Sequence, residues 1–174
     1  MPKAFFHLHP YIPIVANLEL RGKVFTFKVA LLGVKGIYRI IDIRGDQTLD
    51  RLHKCIFQAF DRYDEHLYSF YITRKATSSI RAIYNAPEFA HPMHAGDKDA
   101  LFSFEKAIGD AAKTKIGDIG LGEKEKMYYL FDFGDDWWHE ITCAAIAGPR
   151  PGAKYPVIIK KVGDSPDQYP EAEE

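Results

Sequence analysis

The run Tyr128-Tyr129-Leu130-Phe131-Asp132-Phe133-Gly134-Asp135-Asp136-Trp137-Trp138-His139-Glu140-Ile141 leaves the chain few conformational choices. Its bulky aromatic residues favour extended backbone, because they fit a pleated, half-buried surface. Gly134 and its aspartate neighbours interrupt that bulk with the residue types that turns use. The pattern predicts an aromatic and acidic β-hairpin over about 127–146.

An even-numbered turn, either Asp135-Asp136 or Gly134 to Trp137, sets Asp132 opposite His139 and Phe133 opposite Trp138. Leu130 then pairs with Ile141 and Tyr128 with Cys143 on one face, with Phe131–Glu140 and Tyr129–Thr142 on the other. A carboxylate beside an imidazole fixes the tautomer and favours the protonated form. Asp132 and His139 are therefore candidate catalytic residues, as a general-base pair or a metal ligand with its supporting acid. The plainer reading, that the pair closes the hairpin, is preferred.

Asp132, Asp135 and Asp136 could gather a divalent cation through oxygen, but aspartate populates turns readily, and no metal or cofactor is assigned. Trp137 and Trp138 are expected on opposite faces, as core residues in preference to binding platforms. Asp135, Asp136, Trp137 and Glu140 make up the candidate binding surface.

Upstream, Val24 to Leu32 and Ile37 to Ile43 read as strands joined through Gly33-Val34-Lys35-Gly36, a hairpin with a loop longer than two residues. Thr48 is placed to cap a helix, with Asp50 in its first turn. Leu49, Leu52, Ile56, Ala59, Phe60 and Tyr63 recur at three- and four-residue steps, which predicts one amphipathic helix over about 48–63. His66 to Ile72 reads as a third strand.

Hairpin, helix, strand in this order gives an α+β fold, a mostly antiparallel sheet with the helix on one face. A central insert spans about 73–113. Within it Ile80 to Tyr84 suits a strand, and Ala100 to Ala112 suits either a helix or a strand. Thr114 is expected to cap a short helix ending at Gly120 or Gly122. Lys3 to His9 suits an edge strand, and Tyr155 to Lys160 a last strand. The tail over 166–174 is expected to fray.

The 174 residues are enough for a single domain with a substantial core. A net charge of −1 leaves no electrostatic surplus for nucleic acid or an anionic membrane. The two cysteines, Cys55 and Cys143, form no Cys-x-x-Cys motif and suit a reducing compartment. Pro2, His7, His9, Pro10 and Pro13 occupy the place where a leader would need an apolar run, so a soluble cytoplasmic protein is expected.

Asp132-Phe133-Gly134 matches the kinase metal-binding tripeptide, but no glycine-rich loop or His-Arg-Asp segment accompanies it. His7 with His9, and His91 with His94, have no third ligand at a recognisable spacing. Cys143 reads as a small core residue.

Phe27 to Leu32 with Tyr38 to Ile43, the helix from Thr48 to Phe60 running into His66-Leu67-Tyr68-Ser69-Phe70, and Lys126 to Ile141 together resemble the plasmid open-reading-frame-three-like family. The tail from Tyr155-Pro156-Val157 to Gly163-Asp164-Ser165-Pro166-Asp167-Gln168-Tyr169-Pro170 is similar to one branch of it. The resemblance implies an α+β fold and no defined biochemical activity. Some members carry a passenger, TnpR-type label from insertion elements. This chain lacks the serine among arginines and the basic region that a serine resolvase needs.

The expected function is a non-enzymatic binding or adaptor domain, with a protein or small ligand as partner, no membrane and no nucleic acid. The alternative is a metal-dependent or Asp-His-assisted hydrolase.

Overall fold

The computed structural model describes residues 16–95 and 108–170. The stretch from Lys3 to His9, with His7 and His9, lies outside the described residues, as does the Ala100 to Ala112 stretch before Ile108. Among the described residues the strands are β1 (Val24–Leu31), β2 (Tyr38–Arg44), β3 (Tyr68–Arg74), β4 (Glu88–Ala90), β5 (Ile108–Asp110), β6 (Lys126–Phe131), β7 (Trp137–Ala147) and β8 (Val157–Val162). The helices are α1 (Leu18–Arg21), α2 (Leu49–Ala59), α3 (Ile80–Asn85) and α4 (Ile116–Ile119).

All the described strands join one sheet in the order β5-β4-β3-β6-β7-β1-β2-β8. Its pairs are antiparallel except β4 with β5, which run parallel. The fold is thus a mixed α+β arrangement on a mostly antiparallel sheet. α2 starts where Thr48 Oγ1 accepts a hydrogen bond from Arg51 N at 3.2 Å. Its Leu49, Leu52, Ile56 and Ala59 join Phe25, Phe27, Ile41, Tyr129 and Phe131 of the sheet in the main core. Each large apolar side chain buried there contributes about 2 kcal/mol, so the stripe outweighs the cap, which adds only about 1 kcal/mol. A smaller cluster covers the opposite face, where α3 brings Ile83 to Tyr71, Tyr128, Leu130 and Trp138.

Several segments differ from expectation. α2 ends at Ala59 rather than near Tyr63, because Phe60 caps it and Asp61 takes a left-handed φ of 56°. Tyr63 is consequently exposed. Ile80 to Tyr84 is helical: Ser79 accepts a hydrogen bond from Ala82 N, which nucleates a turn that a lone strand could not outcompete. α4 is preceded by Lys115, without a side-chain cap, while Thr114 turns its hydroxyl back to Asp110 O and Gly120 ends the helix in the left-handed region.

The third strand begins at Tyr68 and the last at Val157, each two residues later than the pattern suggested. The segment from Pro166 through Tyr169 is placed against the rest of the fold. It packs on the body through Gln168, which is buried.

Candidate functional site

The β6–β7 hairpin has a different register from the one the sequence pattern favours. Phe131 faces Trp137, Leu130 faces Trp138, Tyr129 faces His139 and Tyr128 faces Glu140. The connection therefore runs from Asp132 to Asp136, an odd number of residues. Aspartate chemistry builds it: Asp132 and Asp136 both take left-handed φ, at 60° and 54°. Asp132 Oδ1 accepts from Gly134 N at 3.0 Å, and Asp132 O accepts from Asp136 N at 2.8 Å. The five-residue connection, one residue off any even-numbered turn, shifts every cross-strand partner. The expected Asp132–His139 pairing is not formed.

His139 instead points into the main core. Its Nδ1 donates to Trp137 O at 3.0 Å, and its ring packs edge-on to Phe60 with centroids 4.8 Å apart. Burial, reinforced by the Arg62 charge, pushes its pKa down to about 3. A neutral imidazole sealed from solvent cannot act as a base on an external substrate.

The four expected binding residues also separate. Trp137 lies on the α2 side with the Arg62 guanidinium 3.9 Å over its ring, and its Nε1 donates to Gln168 O. Glu140 lies on the opposite face, held by Lys126 and Tyr128. Asp135 and Asp136 remain exposed at the tip. Cys143 is fully buried, with its thiol pushed up to about 12 by burial.

Asp132 does meet an imidazole, that of His66. His66 Nε2 lies 3.4 Å from Asp132 Oδ2 and 3.7 Å from Asp64 Oδ2. Tyr169 OH donates to Asp64 Oδ2 at 2.7 Å and sits 2.7 Å from His66 Nε2, which therefore carries a proton. Nδ1 of this ring has no hydrogen-bond partner among the described residues.

His66 lies on the rim of a cleft of about 620 Å³, bounded by α2, the segment from Glu65 to Leu67, and His91 to Met93. That volume is in the range of sites for small ligands and peptide side chains. His53 stacks on Tyr68 with centroids 3.8 Å apart, and the His91 ring meets Tyr68 edge-on at 5.5 Å. His53 Nδ1 is 2.7 Å from Tyr129 OH, and burial holds its pKa down at about 3. Asp50 is bound by Lys54 Nζ at 2.7 Å and by Tyr68 OH at 2.8 Å. Burial alone would raise the Asp50 pKa, but these hydrogen bonds and the Lys54 charge outweigh it and keep the carboxylate ionised.

Around this polar floor the surface is apolar. Leu67 and Met93 are exposed, Met93 at 81%, and beside His94 the exposed Phe133 has its ring 5.9 Å from the imidazole. Among the described residues no three His, Cys, Asp or Glu side chains converge to hold a metal ion. No helix among them is long and apolar enough to cross a membrane.

Sequence periodicity alone did not single out Asp50, His53, His66 or Met93. Two signals were nevertheless present. His53 lies within the apolar stripe of α2, and His66 heads the aromatic run into β3.

Residues 23–169 match the family described as plasmid pRiA4b ORF-3-like protein. Among solved structures, the chain is similar to the crystal structure of a protein of unknown function, MM3350, from Methanosarcina mazei Go1. The TM-score is 0.62 at 22% identity, over 82% of this chain and 71% of that one, which speaks for a shared fold. No functionally curated protein matches.

Proposed function

Since the chain belongs to the plasmid pRiA4b ORF-3-like family, a family assignment that carries no reaction with it, we propose from the site itself that it is a binding domain. The ligand pairs an apolar or aromatic group with a positively charged one, as a short basic peptide segment does. One observation carries this reading: the exposed Leu67 and Met93 border a cleft lined by the imidazoles of His53, His66 and His91, with a surplus of carboxylates at its edge. Glu65 lines the cleft, and Asp64 and Asp132 flank His66 on its rim. The nearest lysine, Lys54, is already engaged by Asp50. Exposed side chains of this size beside fixed charge favour a partner that covers the first and neutralises the second.

Selection from a random peptide library displayed against the immobilised protein tests the reading. Selected peptides are expected to combine a basic with an aromatic or aliphatic residue. Leu67→Asp and Met93→Asp should each weaken them about tenfold, near 1.4 kcal/mol, without changing the melting temperature. A selection that yields no specific binder, or binders indifferent to both changes, sinks the proposal.

A hydrolytic reading keeps one specific support, the Asp132–His66 pair. Its oriented Nε2–H leaves Nδ1 as the nitrogen able to take a proton from water. Turnover of generic nitrophenyl esters or phosphates, lost in His66→Ala and not in His94→Ala, would favour it. Equal rates in the two variants would count against it.

A further inference from the structure

The cleft wall formed by Glu65, His66 and Leu67 is held from behind by the C-terminal segment. Gln168 is only 1% exposed, and its amide serves three backbone groups of the turn after α2. Oε1 accepts from Tyr63 N and from Asp64 N, both at 3.1 Å, and Nε2 donates to Asp64 O at 2.7 Å. Tyr169 adds its bonds to Asp64 and His66. Trp137 Nε1 donates to Gln168 O at 3.2 Å, and Arg39 Nη2 donates to Ser165 Oγ at 2.7 Å.

One residue under this segment opposes its docking. Arg62 is 7% exposed, and its side chain donates a single hydrogen bond, from Nη1 to Pro166 O at 3.0 Å. Its Nε and Nη2 are buried with no protein partner, and no carboxylate forms an ion pair with it among the described residues. His139 Nε2, two residues along β7 from the Trp137 ring that Arg62 covers, is likewise buried without a partner. Burying a cation with unmet donors costs free energy that its few contacts do not return. Lifting the segment would give those donors water. Docking is therefore a difference between opposed terms.

We infer that Ser165–Tyr169 is a releasable strap that fixes the cleft wall while docked, and that the under-satisfied Arg62 biases it toward release. The inference deepens the reading of the cleft as a ligand site and rests on it for its purpose. Its physical core is testable without any ligand.

The reporter is solvent exchange of the Trp137 indole proton, followed by NMR on the full chain. Arg62→Met leaves an unbranched chain on the indole ring and removes the unmet donors. It should slow exchange about tenfold, as expected when a poorly paired buried charge becomes an apolar group. Gln168→Met should accelerate exchange about tenfold or more and move the His66 Cε1–H resonance, because three backbone partners are lost together. If Gln168→Met does not fold, Gln168→Glu replaces it: both acceptor bonds stay, the donor goes, and a smaller shift in the same direction is expected.

Faster exchange in Arg62→Met overturns the bias toward release. An unmoved His66 signal in the Gln168 variants overturns the control of the wall. If no peptide binds the cleft but exchange behaves as expected, the strap stands and the binding function falls.

Discussion

Arg39 and Arg62 are both buried cations, both lie on aromatic rings, and both reach the same C-terminal segment, yet their surroundings differ. Arg39 stacks on Phe60 and engages every one of its nitrogens: Nε on Ala59 O, Nη1 on Tyr38 O, Val162 O and Gly163 O, Nη2 on Ser165 Oγ. Arg62 stacks on Trp137 and engages one. Identical chemistry thus serves as a permanent staple in one place and a loaded contact in the other. The difference lies in how many carbonyls the fold brings within reach. Arg39 lies between α2's last turn and the end of β8, where backbone carbonyls converge. Arg62 follows the left-handed Asp61, and its guanidinium meets a single strap carbonyl.

The buried histidines share this contrast, and acid should produce the largest effect. His53 has Nδ1 engaged by Tyr129 OH, whereas His139 leaves Nε2 unpaired. Both stay neutral in the folded protein down to about pH 3. In the unfolded chain they protonate near 6.5, so between those values the unfolded state binds more protons and stability falls as pH falls. Each histidine should contribute up to about 1.4 kcal/mol per pH unit in that window. Urea unfolding between pH 4 and 7 measures the slope. His139→Leu should remove about half of it, and an unchanged slope would show that His139 does not remain neutral.

Next in size is the direct comparison of the cations. Arg39→Met strands several buried carbonyls and should cost about 3 kcal/mol in urea unfolding, while Arg62→Met should cost nothing and raise stability by about 1.4 kcal/mol, the equivalent of its tenfold slower exchange. Equal losses would abolish the distinction. The smallest effect is expected from Ser165→Ala, which removes one of Arg39's several partners, at about 1 kcal/mol, and leaves the Trp137 indole protected. Full exposure of that indole would mean that Ser165, and not Gln168, holds the strap.

The sequence carried the sheet and the main helix well, because local periodicity decides both. The alternating run from Val24 and the stripe on α2 report which face meets the core wherever packing is regular. The hairpin register was not legible for a different reason. It depends on whether Asp132 and Asp136 enter left-handed backbone, and a one-residue change in turn length moves every partner. The cleft was hidden because His53, His66 and Met93 come from separate segments that only tertiary packing brings together. The strap was hidden because its anchors are mostly backbone groups, which composition does not reveal. The acidic, proline-containing tail looked like a solvated end, although one buried glutamine holds it in place.

The strand order has a consequence for how the chain is made. β1 lies between β2 and β7, so a strand finished by Leu31 waits for Trp137 to Ala147 before its second edge is paired. During synthesis from the N-terminus the ribosome exposes a hydrophobic, one-sided hairpin with an open edge for more than half of the chain's length. Such an edge can pair with any other extended segment nearby. Closure then requires a long loop to be brought together before the central pairing yields its stabilisation, which makes folding slow for a domain of this size. Cellular yield should therefore depend on chaperone supply and growth temperature more than equilibrium stability alone would indicate. Variants that hasten pairing of the β6–β7 hairpin should raise soluble expression even where they leave the melting temperature unchanged.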